Sequence, residues 1–128
     1  MGFFDINEIS GAVVDAAMRI HSALGPGLLE GAYEACLAHE LRTRGLRVQT
    51  QLALPVVYEG KQIDLGYRVD LVVEDSVIVE LKTVTKVMPV HEAQLLSYLK
   101  LSHYRVGLLI NFHVLHLRDG ITRLVNKL

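Results

Sequence analysis

The sequence predicts a mixed α/β fold, a central mixed sheet flanked by helices. Three observations lead there. Residues 6–41 repeat apolar side chains at helical spacing, broken once by glycine and proline. From Arg47 to Lys82 valine, leucine, isoleucine and tyrosine dominate and the period shortens. A further helical stretch from Pro89 precedes the apolar run Val106–Phe112, which has the composition of a strand buried on both faces.

The first helix carries Ile6, Ile9, Val13, Ala16, Ala17, Ile20 and Leu24 at the helical period. Asp5 and Glu8 read as its capping box, and Gly25-Pro26-Gly27 stops it. The second helix aligns Leu29, Tyr33, Cys36, Leu37 and Leu41 on one side and closes at Gly45. Val48–Val57 reads as a strand interrupted at Pro55, an edge or bulge position. After the Glu59-Gly60 turn, Ile63–Val73 and Ser76–Lys82 are two more strands, with Glu74-Asp75 reversing the chain between them. Pro89 suits the first turn of a helix running to about Leu101. Val114–Arg118 and Ile121–Val125 flank Asp119-Gly120, a hairpin signal, although Ile121, Leu124, Val125 and Leu128 also fit a helical period. The order is ααβββαβββ, and the absence of linkers and repeats predicts one domain over residues 1–128.

Composition narrows the class of function. The chain of 128 residues has 13 basic and 14 acidic side chains, a net charge of −1, which argues against broad electrostatic capture of nucleic acid but leaves room for a local basic groove. With 51% apolar and 21% charged residues, wholesale disorder is excluded. The single cysteine, Cys36, excludes an intramolecular disulfide and Cys-rich zinc sites, and it suits a reducing compartment. No uncharged stretch approaches the roughly 20 residues of a spanning helix. The start MGFFDINEIS lacks a basic n-region and an apolar h-region. A cytoplasmic protein with no membrane partner is expected.

The chemistry lies in charged residues placed inside apolar strands. Asp70 interrupts Tyr67–Val73, and Glu80 and Lys82 interrupt Val77–Lys82. Burying an unpaired charge is expensive, so such placements need a reason. Glu80 and Lys82 share one strand face. Two acids close together raise each other's pKa unless a cation lies between them, and a hard divalent metal with oxygen ligands resolves that conflict. Lys82 could then hold or activate a water. The bland alternative is an outward-facing salt-bridged pair. Register decides between them. A two-residue turn at Glu74-Asp75 pairs Asp70 with Val79 and sends Glu80 to the other face, whereas a three-residue loop, Glu74-Asp75-Ser76, pairs Asp70 with Glu80. The site requires the three-residue loop or an equivalent bulge.

The triplet Asp70, Glu80, Lys82 resembles the D…(E/D)-x-K signature of the PD-(D/E)XK nuclease superfamily, and the βββαβ order is similar to its restriction-endonuclease-like αβββαβ core. Gly27-Leu28-Leu29-Glu30-Gly31-Ala32-Tyr33 matches the G-x-x-E-x-x-Y motif that names one bacterial and archaeal family of such proteins. The strings GYRVDLVVEDSVIVELKTV, HEAQLLSYLK and GLLINF are similar to that family as well, so the likeness runs from about Ile20 to Val125. Gln94 and Tyr98 resemble the Q-x-x-x-Y motif of RecB-like nucleases, whose helix borders the active site and contacts DNA.

The resemblance implies a nuclease that hydrolyses phosphodiester bonds with Mg²⁺ or Mn²⁺. Asp70, Glu80, the Leu81 carbonyl and Glu30 would hold the metal. Lys82 would act on the attacking water, and Gln94 and Tyr98 would orient phosphate or water. Glu34 is a fallback for Glu30, and His21 is a further candidate by likeness to RecB-like relatives. Gly27, Glu30 and Tyr33 are the family motif. Arg42, Arg44, Arg47, Lys86 and Lys100 are candidates for a phosphate track. Nucleic acid, DNA in preference to RNA, is the implied partner, and a homodimer is compatible with the sequence. The rival is a non-catalytic module of the same fold that binds nucleic acid or protein. Cys36 and the other histidines receive no role.

Overall fold

The computed structural model describes residues 4–64 and 67–126. Helix α1 (Ile6–Leu24) opens on the expected capping box, with Asp5 accepting from the Glu8 N–H, and ends at Gly25 with φ +75°. Helix α2 (Glu30–Thr43) closes as a Schellman motif. The Leu46 N–H donates to the Leu41 carbonyl and the Gly45 N–H to the Arg42 carbonyl, with Gly45 at φ +87°. Leu29 was expected on the buried side. It is the N-cap in extended conformation, 83% exposed, because the helical period begins only at Glu30.

The strands are β1 (Val48–Ala53), β2 (Val56–Tyr58), β3 (Lys61–Ile63), β4 (Arg68–Val73) and β5 (Val77–Lys82). Helix α3 (Pro89–Leu101), β6 (Val106–Asn111) and β7 (Ile121–Val125) follow. Strands β1, β4, β5, β6 and β7, in that spatial order, form one sheet, and β2 and β3 form a separate ribbon. β5 and β6 are parallel, so they need a crossover, which α3 supplies; the other neighbours are antiparallel.

Two expected elements differ. The single strand Ile63–Val73 is two: Ile63 ends β3, and β4 begins at Arg68, with Leu65 and Gly66 outside the described residues. Pro55 has no N–H to carry the ladder onward, so β1 ends before it and the chain turns out into the ribbon. The Asp119-Gly120 hairpin is also absent. Residues Leu117–Gly120 form a 3₁₀ turn, and β7 pairs with β6. The fully buried β6 takes the partner strand, while the Val114 carbonyl is engaged 2.8 Å from His21 Nε2 on α1. Leu128 lies outside the described residues.

Alternation along the strands divides the core between the two sheet faces. Leu71, Val79, Leu81 and Ile110 pack with Val13, Tyr33, Leu37 and Leu41 of α1 and α2. Val72, Ile78 and Leu109 pack with Leu95, Tyr98 and Leu99 of α3. Among the described residues no helix is long and apolar enough to cross a membrane.

Two glycines make this packing testable. A Cβ on Gly120 would lie 2.2 Å from the Asn111 carbonyl oxygen, whereas one on Gly11 would meet nothing within 4 Å. Gly120→Ala should destabilise by about 1–3 kcal/mol or more through overpacking. Gly11→Ala, inside α1, should stabilise by about 0.5–1 kcal/mol. Thermal denaturation of the two variants should move the melting point in opposite directions.

Candidate functional site

The site begins at the turn between β4 and β5. Val73 pairs with Val77 and Leu71 with Val79, so the connection is the three-residue loop Glu74-Asp75-Ser76. Glu74 and Asp75 have φ +52° and +49°, two successive left-handed residues, and the Ser76 N–H donates to the Val73 carbonyl. Neither residue is glycine, so neighbours must hold the conformation. The Arg47 N–H donates to the Glu74 carboxylate at 2.6 Å, and the Tyr104 hydroxyl donates to Asp75 at 3.0 Å.

This register sets Asp70 opposite Glu80. The registered ladder stops at Leu71 and Val79, and carboxylates take over the next backbone donors. The Asp70 N–H donates to Glu80 Oε1 at 3.1 Å, and the Leu81 N–H donates to Asp70 Oδ2 at 2.8 Å. Alternation places Glu80 and Lys82 on the α3 side with Ile78. Glu80 is only 7% exposed; Asp70 and Lys82 are half-buried. Burial, then the charge of Asp70, pushes the Glu80 carboxyl up to about 8, against the opposing pull of the Asp70 N–H and of Lys82.

Helix α2 brings two more acids. Glu30 is its first residue and Glu34 lies one turn on. Burial and the charge of Asp70 raise the Glu30 pKa, which Lys82 lowers. Burial raises Glu34 as well, and its hydrogen bond from Gln51 opposes the rise. The Gln51 amide donates to Glu34 at 2.6 Å and to Asp70 at 3.3 Å. From α3, Gln94 donates to the Tyr98 hydroxyl at 3.0 Å. Burial and then the Glu80 charge raise the Tyr98 pKa, and the Tyr67 ring lies 6.2 Å from that of Tyr98.

Asp70, Glu80, Lys82, Glu30, Tyr98 and Gln94 thus converge on one end of the β4–β5 pair. Leu81 gives its N–H to Asp70 and buries its side chain on the α1–α2 side. Tyr33 is fully buried away from solvent and stacks on Phe112, ring centroids 4.2 Å apart. Its hydroxyl donates to the Gly25 carbonyl and accepts from the Leu28 N–H, so it fixes the loop that contains Gly27. His21 is occupied with the Val114 carbonyl. Of the basic candidates, Arg42 donates to the Val48 carbonyl, Arg44 pairs with Asp15 and Glu40, and Arg47 pairs with Glu74; Lys86 and Lys100 are exposed. Sequence reasoning missed Gln51 and Tyr67. Neither carries a charge or a motif, and only strand pairing reveals that Gln51 faces Asp70.

The donors are oxygen and mostly anionic, which fits a hard divalent cation in kind. Among the described residues no three His, Cys, Asp or Glu side chains are gathered closely enough to grip a metal as they stand.

A family model described as the PD-(D/E)XK nuclease superfamily matches residues 7–124. No curated protein and no solved structure matches the chain.

The raised Glu80 pKa predicts a pH dependence of stability in the metal-free protein. The folded chain holds the Glu80 proton more tightly than the unfolded chain does. This contribution is therefore full below the ordinary glutamate range and is lost as pH rises toward about 8. The melting temperature should fall between about pH 5 and 8, by several degrees, and Glu80→Gln should flatten that slope. Melting curves at four or five pH values in a chelating buffer decide it; a slope unchanged in Glu80→Gln would assign the effect elsewhere.

Proposed function

Because the chain belongs to the PD-(D/E)XK nuclease superfamily, we propose that it is a divalent-metal-dependent nuclease that hydrolyses phosphodiester bonds. The five-stranded mixed sheet flanked by helices is the restriction-endonuclease-like fold of that superfamily. The observation that carries the reading is the interlock of Asp70 and Glu80 at 2.8 and 3.1 Å, with Lys82 on the same face two residues on. An outward salt bridge does not account for it, since Glu80 is buried and the Lys82 amino group forms no ion pair with the described residues.

Asp70 and Glu80, with Glu30 and the Leu81 carbonyl, would hold the cation, Mg²⁺ or Mn²⁺. When bound, it supplies positive charge to the phosphate and lowers the pKa of water. The Lys82 side chain, whose amino group has no protein partner among the described residues, would position the attacking water as the ammonium or take its proton as the neutral amine. The Tyr98 hydroxyl and Gln94 amide orient the phosphate through donors already fixed to each other. The Gly27, Glu30 and Tyr33 motif supports placement in the G-x-x-E-x-x-Y branch. DNA is favoured over RNA on the likeness of Gln94 and Tyr98 to the RecB-like helix motif.

Two variants separate binding from chemistry. Asp70→Ala should lose metal affinity and cleavage together. Lys82→Ala should keep the metal while turnover falls about 10²–10⁴-fold, the range for losing a proton-transfer group. Calorimetry with Mn²⁺ and cleavage of mixed DNA and RNA substrates read the two effects; equal loss of metal binding in both would show Lys82 to be misassigned. Mn²⁺ at a hundredfold excess over Kd should stabilise the wild type by roughly 2.7 kcal/mol, and Glu80→Ala should not respond. Melting curves of the wild type indifferent to millimolar Mn²⁺ and Mg²⁺ would favour the non-catalytic binding module instead.

A further inference from the structure

We propose that Gln51 is a positioning residue whose side-chain amide holds the Glu34 and Asp70 carboxylates together between α2 and β4. The functional consequence rests on the nuclease reading above; the bridge itself does not.

Gln51 lies inside β1, between Thr50, which pairs with Leu71, and Leu52, which pairs with Val69. That places it opposite Asp70, at the one step of the ladder where no pair is registered. Its backbone φ is +53°. Among the described residues the other non-glycine positions with positive φ, Glu59, Glu74 and Asp75, sit in the turns after β2 and β4. A left-handed residue within a strand disfavours itself, so it persists where something else holds it. Here the holding group is visible. One amide nitrogen, Nε2, donates to Glu34 Oε1 at 2.6 Å and to Asp70 Oδ1 at 3.3 Å.

The two partners are like charges from different elements, and an amide offers two N–H donors without a charge of its own. It therefore links the acids where a lysine would neutralise them and another acid would repel them. The Leu81 N–H already holds Asp70 Oδ2, so Gln51 fixes the second oxygen and sets the carboxylate plane. Each oxygen keeps a lone pair for a cation. Glu34 is brought to the site by this link as a fourth carboxylate beside Asp70, Glu80 and Glu30. Groups that orient metal ligands in this way typically contribute about tenfold to a hundredfold in metal affinity.

The test uses the full chain as wild type, Gln51→Gly, Glu34→Ala and the double variant. Glycine accepts φ +53° without strain, so Gln51→Gly removes the amide while keeping the backbone. In metal-free ¹⁵N-labelled protein, the Gln51 side-chain NH₂ resonances should move on Glu34→Ala. Resonances that stay in place would overturn the bridge, whatever the metal data show. In calorimetry with Mn²⁺, Gln51→Gly should weaken binding by about tenfold to a hundredfold, with the melting temperature within a few degrees of wild type. The double variant should bind no more weakly than the weaker single variant, because the two changes remove one interaction. Additive losses, or unchanged affinity in Gln51→Gly, would overturn the positioning role. A wild type that binds no Mn²⁺ would sink the nuclease reading, and the NH₂ resonances would still decide the bridge.

Discussion

The structure turns on two hydrogen bonds exchanged between neighbouring strands, from the Asp70 N–H to Glu80 and from the Leu81 N–H to Asp70. They solve two problems together. Where the β4–β5 ladder ends, backbone donors in the interior would be unpaired, and buried carboxylates would lack partners. Each strand supplies what the other needs. The arrangement exists in only one register, because a slip of one residue sends Glu80 to the opposite face. The Glu74-Asp75-Ser76 loop fixes that register, and Arg47 and Tyr104, one on each side in the sequence, fix the loop. Contacts at one end of the strands thus decide the chemistry at the other.

The charges around this pair are unbalanced by design of the fold. Glu30, Glu34 and Glu80 all have raised pKa values, with burial the leading cause and Asp70 contributing to each. Against four carboxylates stand the Lys82 ammonium, the Gln51 amide and two backbone N–H groups. Such a set is poor as a stabilising device, since buried like charges oppose folding. It is well suited to a ligand that brings positive charge, which is the physical content of the nuclease reading. Sites that trade stability for readiness to bind are a common expense in functional proteins.

The first helices are tied to this chemistry through aromatic packing. The Phe112 N–H donates to the Lys82 carbonyl, and the Phe112 ring stacks on Tyr33. The Tyr33 hydroxyl in turn holds Gly25 and Leu28, the residues that lead into α2. Glu30 is therefore placed by the tyrosine three residues after it. The G-x-x-E-x-x-Y spacing reads as one acid directed at the site and one aromatic anchor that orients its helix turn. Both lie on one side of α2, as residues three apart do.

Periodicity and local chemistry make the three helices legible in the sequence, with the capping box of α1, the glycine that closes α2 and the apolar character of β4, β5 and β6. Asp70, Glu80 and Lys82 were legible for the same reason: charge inside an apolar strand is conspicuous. The three-residue loop followed from the requirement that the two acids share a face. Features that depend on partners far along the chain are set by pairing and burial instead. Asp119-Gly120 has hairpin chemistry, yet the segment before it docks on His21 and β7 goes to the open edge of β6. The strand through Ile63 divides because a ribbon forms after Pro55. Gln51 is an uncharged residue outside any motif, and its role appears only when β1 pairs with β4 and α2 lies beside both. Local propensity fixes what a segment can be; pairing and burial choose which neighbour it meets, and that choice assembles the site.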